Sequence, residues 1–401
     1  MFYLYFILSL ILGILAGTFT GLFPGIHINL IAVLLLAISS SLLLNIQPII
    51  LIIFLIAMAI THTFIDYIPS IFLGAPDEDT FLSILPGHDL LLKGKAYSAI
   101  IYTLYGSLTA ILVIILLLPL FLFFIPRIYL NMQTIIPYIL ITASIFLIYF
   151  EKKSKIWATI IFFLSGFLGL ASLNLSISNS LLPLFTGLFG ISSLAFSIQK
   201  KQRIPNQEIP KLEEIQVEKK SFLKSIFASI ISSPLCCFLP GMGAGQAAVI
   251  GSEVTGDMNQ KEFLILLGAI NTTIIGLSFF ILYSIGKART GTAVAISKIA
   301  ELSFSDIPII ILAIIFSGIL AFIITIQLAK LFSKHINKIN YKLLSISIII
   351  LLIILTIIFS GFLGLLILIV SSFLGYTCIS LGIRRTHLMG SLLLPIILFY
   401  I

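Results

Sequence analysis

The sequence predicts an all-α polytopic membrane protein, and three observations carry that prediction. Of 401 residues, 60% are hydrophobic and the mean hydropathy is +1.22. Only 9% are charged, against about 25% in ordinary soluble domains. The apolar residues fall in runs close to the ~20 needed for a helix to cross a bilayer. They lack the ten-residue alternation of an outer-membrane barrel. A chain of this composition has too little polar surface for a cytosolic globular enzyme and too much apolar surface to remain disordered.

The runs place seven candidate spans near 3–22, 26–44, 48–73, 97–125, 131–150, 157–175 and 178–198. A second seven follow near 225–239, 241–257, 262–285, 307–330, 343–362, 364–382 and 387–401. The total is about 12–14 membrane segments, because the short runs flanking Pro24-Gly25 and Pro240-Gly241 read either as half-helices or as re-entrant hairpins. The N-terminal run lacks the basic start and small-residue cleavage site of a signal peptide, so it reads as the first membrane segment.

Charge orients the spans. The net charge of +8 resides in short basic groups between apolar runs, which points to lipid headgroups rather than nucleic acid. Lys93 and Lys95, then Lys152, Lys153 and Lys155, then the 199–224 segment fall on one side of the membrane. So do Lys330, Lys334, Lys338 and Lys342, and Arg384 with Arg385. That side is the cytoplasm, which leaves both termini outside. Lys287, Arg289 and Lys298 are the exception. Cys236, Cys237 and Cys378 lie inside apolar runs, which argues against a disulfide framework or metal cluster.

The polar segment 199–224, with Pro205 and Pro210, reads as a cytoplasmic linker between a first transmembrane repeat, 1–198, and a second, 225–401. Features recur across it in the same order. Phe23-Pro24-Gly25-Ile26-His27 is answered by Leu239-Pro240-Gly241-Met242-Gly243. The stretch Ala59 to Thr63 is answered by Gly268 to Thr272, and the break at Gly74-Ala75-Pro76 by Gly286-Lys287-Ala288. Ser165 to Leu170 returns letter for letter as Ser360 to Leu365. Seven spans per half would make the two structural repeats inverted, the plan of many secondary transporters.

In that plan the substrate sits near the midplane, held by interrupted helices. Proline removes a donor and glycine lets backbone approach a ligand. A helix starting there offers unpaired amides and a positive dipole end to a carboxylate or phosphate. Pro24, Gly25, Pro240 and Gly241 are therefore the first substrate-binding candidates, with Gly243 and Gly245 beside them. Buried polar side chains supply the rest: His27, Asn29, Asn271 and Thr272 for substrate, and His62, Thr63, Gly74, Asp77 and Thr290 for a coupling ion. Asp66 belongs to the same polar cluster in the first half, or simply reaches the interface. The acidic loop Asp77-Glu78-Asp79 admits a cation or a Mg²⁺-bound diphosphate, or is simply a solvated cytoplasmic loop. Gly13, Gly17 and Gly21 form a small-residue packing stripe.

With these motifs in view, the chain resembles the large membrane subunit of tripartite tricarboxylate transporters, the TctA family, and its shorter archaeal-type members in particular. Gly21-Leu22-Phe23-Pro24-Gly25, the segment from Gly74 to Ala96, and Leu239 to Gly245 carry the likeness. The resemblance implies carboxylate transport with a small membrane subunit and an extracytoplasmic solute-binding protein as partners. His27 stands where the family's first Pro-Gly motif has glycine, and acids follow Pro76 where the family favours small residues.

The expected function is a non-enzymatic secondary active transporter (permease) in the cell membrane. It would move small organic anions, di- or tricarboxylates, by symport with Na⁺ or H⁺, with no cofactor and with a homo-oligomer as a plausible assembly. The alternative is a membrane-embedded enzyme acting on a lipid-linked diphosphate. No Walker A sequence or HExxH pair occurs, and no ring of like charge marks a channel.

Overall fold

The computed structural model describes residues 2–23, 28, 31–32, 35, 46–75, 80–149, 151, 153–175, 177, 180–199, 204–238, 243–288, 290–338 and 341–401. Among them there is no strand. Eight helices are long and apolar enough to cross a membrane, and three shorter apolar ones accompany them.

The first half begins with α1 (Phe2–Leu22) and α2 (Pro48–Ile65), which a π turn extends through Pro69–Leu73. A 3-10 turn at Phe81–Ser83 leads into the short α3 (Ile84–Leu92), followed by α4 (Ala96–Tyr149) and α5 (Lys155–Asn174). Then α6 (Leu181–Phe185) runs through a π turn (Thr186–Ile191) into α7 (Ser192–Gln199). The second half contains α8 (Lys219–Phe238), α9 (Ala244–Thr255), α10 (Gln260–Ile285), α11 (Gly291–Ile299) and α12 (Ile307–His335). It closes with α13 (Tyr341–Leu381), a 3-10 turn (Arg385–Met389) and α14 (Gly390–Tyr400).

Two elements each double back on themselves. The 54 residues of α4 would span about 80 Å as a straight helix, far beyond a ~30 Å hydrocarbon core. Yet Tyr102 near its start meets Lys261, and Leu147 near its end shares a cavity with Asn259. The chain therefore folds back between them, in the region of Pro119, Pro126 and Pro137. In α13 the reversal is at Gly361, whose φ of +67° only glycine adopts without strain. A Cβ on Gly364 would lie 3.4 Å from Thr356 Cγ2, whereas residues eight apart in a straight helix are about 12 Å apart.

Helices α8 and α9 form a hairpin. Lys224, near the start of α8, donates to Asp257 O at 2.5 Å just past the end of α9, and pairs with Glu262 at 3.5 Å. Both ends of the α8–α9 hairpin thus lie on one face. The 12 residues of α9 reach only about 18 Å, roughly half-way across the core.

The basic groups gather on that same face. Gly94 O accepts from the Glu208 amide at 2.8 Å, and Gln207 bridges Leu91 O and the Ala96 amide at 3.0 Å each, fastening the linker to the turn between α3 and α4. Asn206 accepts from Asn337 at 2.6 Å beyond the end of α12, and Lys153 lies against Gly382. Helix α8 begins at Lys219, so it takes in the last residues of the expected linker. Gln47 and Pro48 line a small cavity with Ala300, Glu301 and Asp306 at the other end, which is where the exposed Lys298 sits. Arg384 and Arg385 do not act as one cytoplasmic pair: Arg384 lines a cytoplasmic cavity, and Arg385 turns into the interior.

Packing is closest where helices carry glycine. A Cβ on Gly106 of α4 would lie 2.0 Å from Ile265 O, and one on Gly268 of α10 would lie 2.0 Å from Thr103 O. The backbones touch, as small residues permit in membranes. The stripe of Gly13, Gly17 and Gly21 packs in the same way on α2, against Phe54 O, Met58 O and Ile65. The six-residue identity proves not to mark equivalent places. Ser165 to Leu170 lies inside α5, where Gly166 and Gly169 meet Leu394 and Ser391 of α14, whereas Ser360 to Leu365 straddles the reversal at Gly361. Identical letters take different conformations because only the second copy lies at a chain reversal.

Gly268→Ala should lower the thermal midpoint of the purified protein more than Gly286→Ala. The first drives a methyl into Thr103 O; the second meets nothing within 4 Å and costs only the left-handed strain of φ +66°, about 1 kcal/mol. With the three native cysteines replaced by alanine, Lys220→Cys should be labelled from the cytoplasmic side alone and Lys298→Cys from the outside alone. Same-side labelling would refute this topology.

Candidate functional site

Helices α2 and α10 cross in the interior, and polar side chains meet at the crossing. Every residue of α10 from Leu264 to Leu282 is buried, so its Asn271 and Thr272 have only protein to bond. Asn271 Nδ2 donates to Asp66 Oδ2 at 2.9 Å, and Thr63 Oγ1 lies 3.1 Å from Thr272 Oγ1. His62 stands one helical turn before Asp66, on the same face of α2. Its Nε2 is 4.0 Å from Asp66 Oδ2, and its Nδ1 is 3.0 Å from Thr20 Oγ1 of α1. Ser70 extends the string, donating to Asp66 O at 3.0 Å and lying 2.5 Å from Thr80 Oγ1. All of these groups are buried, Asp66 at 2% exposure.

A carboxyl group in such a place is costly as an anion unless it is paired and hydrogen-bonded. The Asn271 amide, the adjacent imidazole and the hydroxyls nearby are the groups that can hold either an anion with a cation or a protonated acid. The structure thus corrects the reading of Asp66 as reaching the interface. The His62–Asp66 spacing of four was the signal for it. Thr20 carried no sequence signal, because its role comes from the packing of α1 on α2.

The other candidates fall elsewhere. Gly74 has a φ of +66° and closes the π turn, its amide bonding Pro69 O, so its place is conformational. Thr290 caps α11, accepting from the Ala293 amide at 3.2 Å, and its hydroxyl is 3.2 Å from Ser278 Oγ. Gly243 precedes α9 and donates its amide to Gln246 Oε1 at 2.8 Å. Gly245 lets Phe81 approach, since a Cβ there would lie 2.4 Å from its ring. Neither glycine is brought to Asp66 by any contact among the described residues. Pro24, Gly25, His27, Asn29, Asp77, Pro240 and Gly241 lie outside the described residues, as do Glu78 and Asp79. Among the described residues no group of three or more His, Cys, Asp or Glu could hold a metal ion.

A cavity of about 900 Å³ opens on the basic face beside the α8–α9 hairpin. Lys224, Ser252, Glu253, Asp257, Glu262 and Arg384 line it. Next to it, in the loop after α4, Glu151 Oε2 lies 2.8 Å from His387 Nε2, while the Lys153 amide donates to Oε1 at 2.9 Å. Burial pushes the Glu151 carboxyl up. The Lys153 amide, the His387 ring and the Arg384 amide outweigh burial and hold it below the ordinary carboxylate range.

A profile of the tripartite tricarboxylate transporter TctA family matches residues 7–390. The chain belongs to the TctA family. An uncharacterized protein of Methanocaldococcus jannaschii is 33% identical to it over 358 residues, covering 87% of this chain and 88% of that one. No solved structure matches the chain. This TctA-family chain is therefore a multi-pass protein of the cell membrane and a tricarboxylate transporter component. The apolar helices and the absence of strands among the described residues agree with that membership.

Two outcomes follow from the site's geometry. A double-mutant cycle of Asp66→Asn and Asn271→Leu, read by thermal unfolding, should give a coupling of about 1–3 kcal/mol; additivity would mean the pair is not formed. The Glu151 carboxyl is held below its unfolded value, so its contribution is present above the unfolded pKa and lost as pH falls through the folded one. Wild type should therefore lose stability below about pH 4.5 more steeply than Glu151→Gln.

Proposed function

We propose that this chain is a secondary active transporter of small organic anions, di- and tricarboxylates, coupled to Na⁺ or H⁺. The observation that carries the proposal is the buried Asp66 carboxyl, held by Asn271 across the α2–α10 crossing with His62 and the threonines beside it. Na⁺ would be ligated by the Asp66 carboxylate with amide and hydroxyl oxygens. A proton would be taken up by Asp66 or His62.

The helix arrangement supports an inverted repeat behind this site. Contacts of Phe64 with Gly318 and Phe72 with Phe332 make α2 and α12 run parallel. Contacts of Tyr102 with Lys261 and Ile114 with Gly276 do the same for the first crossing of α4 and α10. Exchanging α2 with α10 and α4 with α12 interconverts the two pairs, with opposite sense in the membrane. Thr63 and Thr272, equivalent in the sequence correspondence, touch each other, as like residues do on a two-fold axis. Each long helix ends on a left-handed glycine, Gly74 or Gly286, followed by a threonine bonded back to a serine of that helix. Repeats of this kind place substrate and ion near the midplane.

Membership of a transporter family favours transport over the lipid-linked enzyme reading. The family's tripartite description supports a small membrane subunit and an extracytoplasmic solute-binding protein as partners. The cytoplasmic cavity, with Lys224 and Arg384 on its wall, is suited to release of the anion.

The test is uptake of labelled di- and tricarboxylates into proteoliposomes under imposed Na⁺, H⁺ and voltage gradients. Asp66→Asn should abolish gradient-driven accumulation and retain substrate-for-substrate exchange. Wild-type accumulation in Asp66→Asn would remove the coupling role from this site. Uptake independent of every gradient would overturn secondary active transport.

A further inference from the structure

Arg385 stands apart from the Asp66 cluster. Its side chain is buried at 7% exposure, and every group it bonds is neutral. Nη1 donates to Ser193 Oγ, and Nη2 donates to Leu188 O, Phe189 O and Ser192 Oγ at 3.1, 2.6 and 3.2 Å. The guanidinium carbon lies 5.3 Å from the Phe189 ring centroid. Among the described residues no carboxylate pairs with it, and its Nε–H has no acceptor. Arginine is always charged, so this is a fixed positive charge in a low-dielectric interior with no counter-ion among the described residues. Such a charge is expensive to hold. The two carbonyls it bonds belong to the π turn Thr186–Ile191, the sort of helix irregularity that concentrates at functional sites.

A second unsatisfied donor adjoins Gly245, which packs on the same aromatic wall. Gln246 in the first turn of α9 is 1% exposed; its Oε1 holds the Gly243 amide, and its Nε2 has no partner. Phe81 links the two places. Its ring lies against Gly245 of α9, and its centroid is 4.8 Å from that of Phe189, over which Arg385 sits. Met389, in the same turn as Arg385, also reaches Gly245. Depth agrees as well. Phe189 lies ten residues, about 15 Å, from the cytoplasmic end of α7, and the start of α9 lies about 16 Å from its own cytoplasmic end. Both values are near half of a ~30 Å core. The positive end of the α9 dipole adds to the same field.

We infer that Arg385, with Gln246 at the α9 N-terminus, forms an anion subsite that receives a carboxylate of the transported substrate. The inference rests on the transport reading above and names the charge that recognises the anion. The substrate carboxylate supplies the counter-ion that the described residues lack, accepting from Arg385 Nε and Gln246 Nε2. In the conformation described here the site is closed to solvent, as a midplane site is between its two open states.

The experiment is thermal unfolding of the purified full-length protein against a concentration series of citrate and of succinate, at constant ionic strength, with trimethyl citrate as the uncharged control. Wild type should be stabilised by a carboxylate and not by the ester. Arg385→Gln should raise the apparent Kd by about tenfold or more without lowering the ligand-free midpoint, since it removes an uncompensated buried charge. Gln246→Glu keeps the cap on Gly243 and introduces a competing carboxylate, so it should weaken the response as strongly. It decides the matter if Arg385→Gln does not fold. Wild-type affinity in either variant would overturn the subsite and leave the transport reading standing. No stabilisation of wild type by either carboxylate would instead overturn the carboxylate reading, and the subsite with it.

Discussion

The backbone contact between α4 and α10 at Gly106 and Gly268 sets the rest of the molecule. In a bilayer no hydrophobic force draws helices together, so close approach has to come from van der Waals packing of small residues. With Thr103 O and Ile265 O in the positions a side chain would fill, α10 is drawn into the centre and surrounded by protein. The polar residues in its middle then have no access to water or headgroups. Asn271 and Thr272 must find partners inside, and they find Asp66 and Thr63 on α2. The glycine stripe on α1 repeats the device on the other side of α2 and brings Thr20 to His62.

The interior holds opposite charge requirements in two separate places. Around Asp66 an acid is surrounded by amide, imidazole and hydroxyl groups, an environment that asks for a cation or a proton. Around Arg385 a guanidinium is surrounded by hydroxyls and carbonyl oxygens, an environment that asks for an anion. Hydrophobic replacement of such groups is often stabilising in other proteins, so keeping them buried has a cost, which on the transport proposal binding offsets. A transporter that carries an anion with a cation needs one site of each kind, each emptied and refilled in every cycle.

Much of this was legible in the sequence and some was misleading there. The basic clusters identified one face because headgroup attraction acts residue by residue. Pro240-Gly241 marked an interruption because proline and glycine limit the backbone locally, and the ends of α8 and α9 lie on one face accordingly. The identity of Ser165 to Leu170 with Ser360 to Leu365 misled, since a helix interior and a chain reversal both accept Ser-Gly. Asp66 was undervalued because a lone acid near the end of an apolar run looks the same in sequence whether it faces headgroups or Asn271. Arg384 and Arg385 read as one cytoplasmic pair, and their separation depends on the turn that follows them.

The sequence alone determined the class, the number of apolar segments to within a few and the family, because hydrophobicity, chain length and short motifs act through local composition. Tertiary structure alone decided which polar residues are partners. Asp66 and Asn271 are 205 positions apart, and Arg385 lies nearly as far from the carbonyls that hold it. Their meeting depends on where helices cross, and that is fixed by glycine-sized gaps on surfaces whose pairing no local rule encodes.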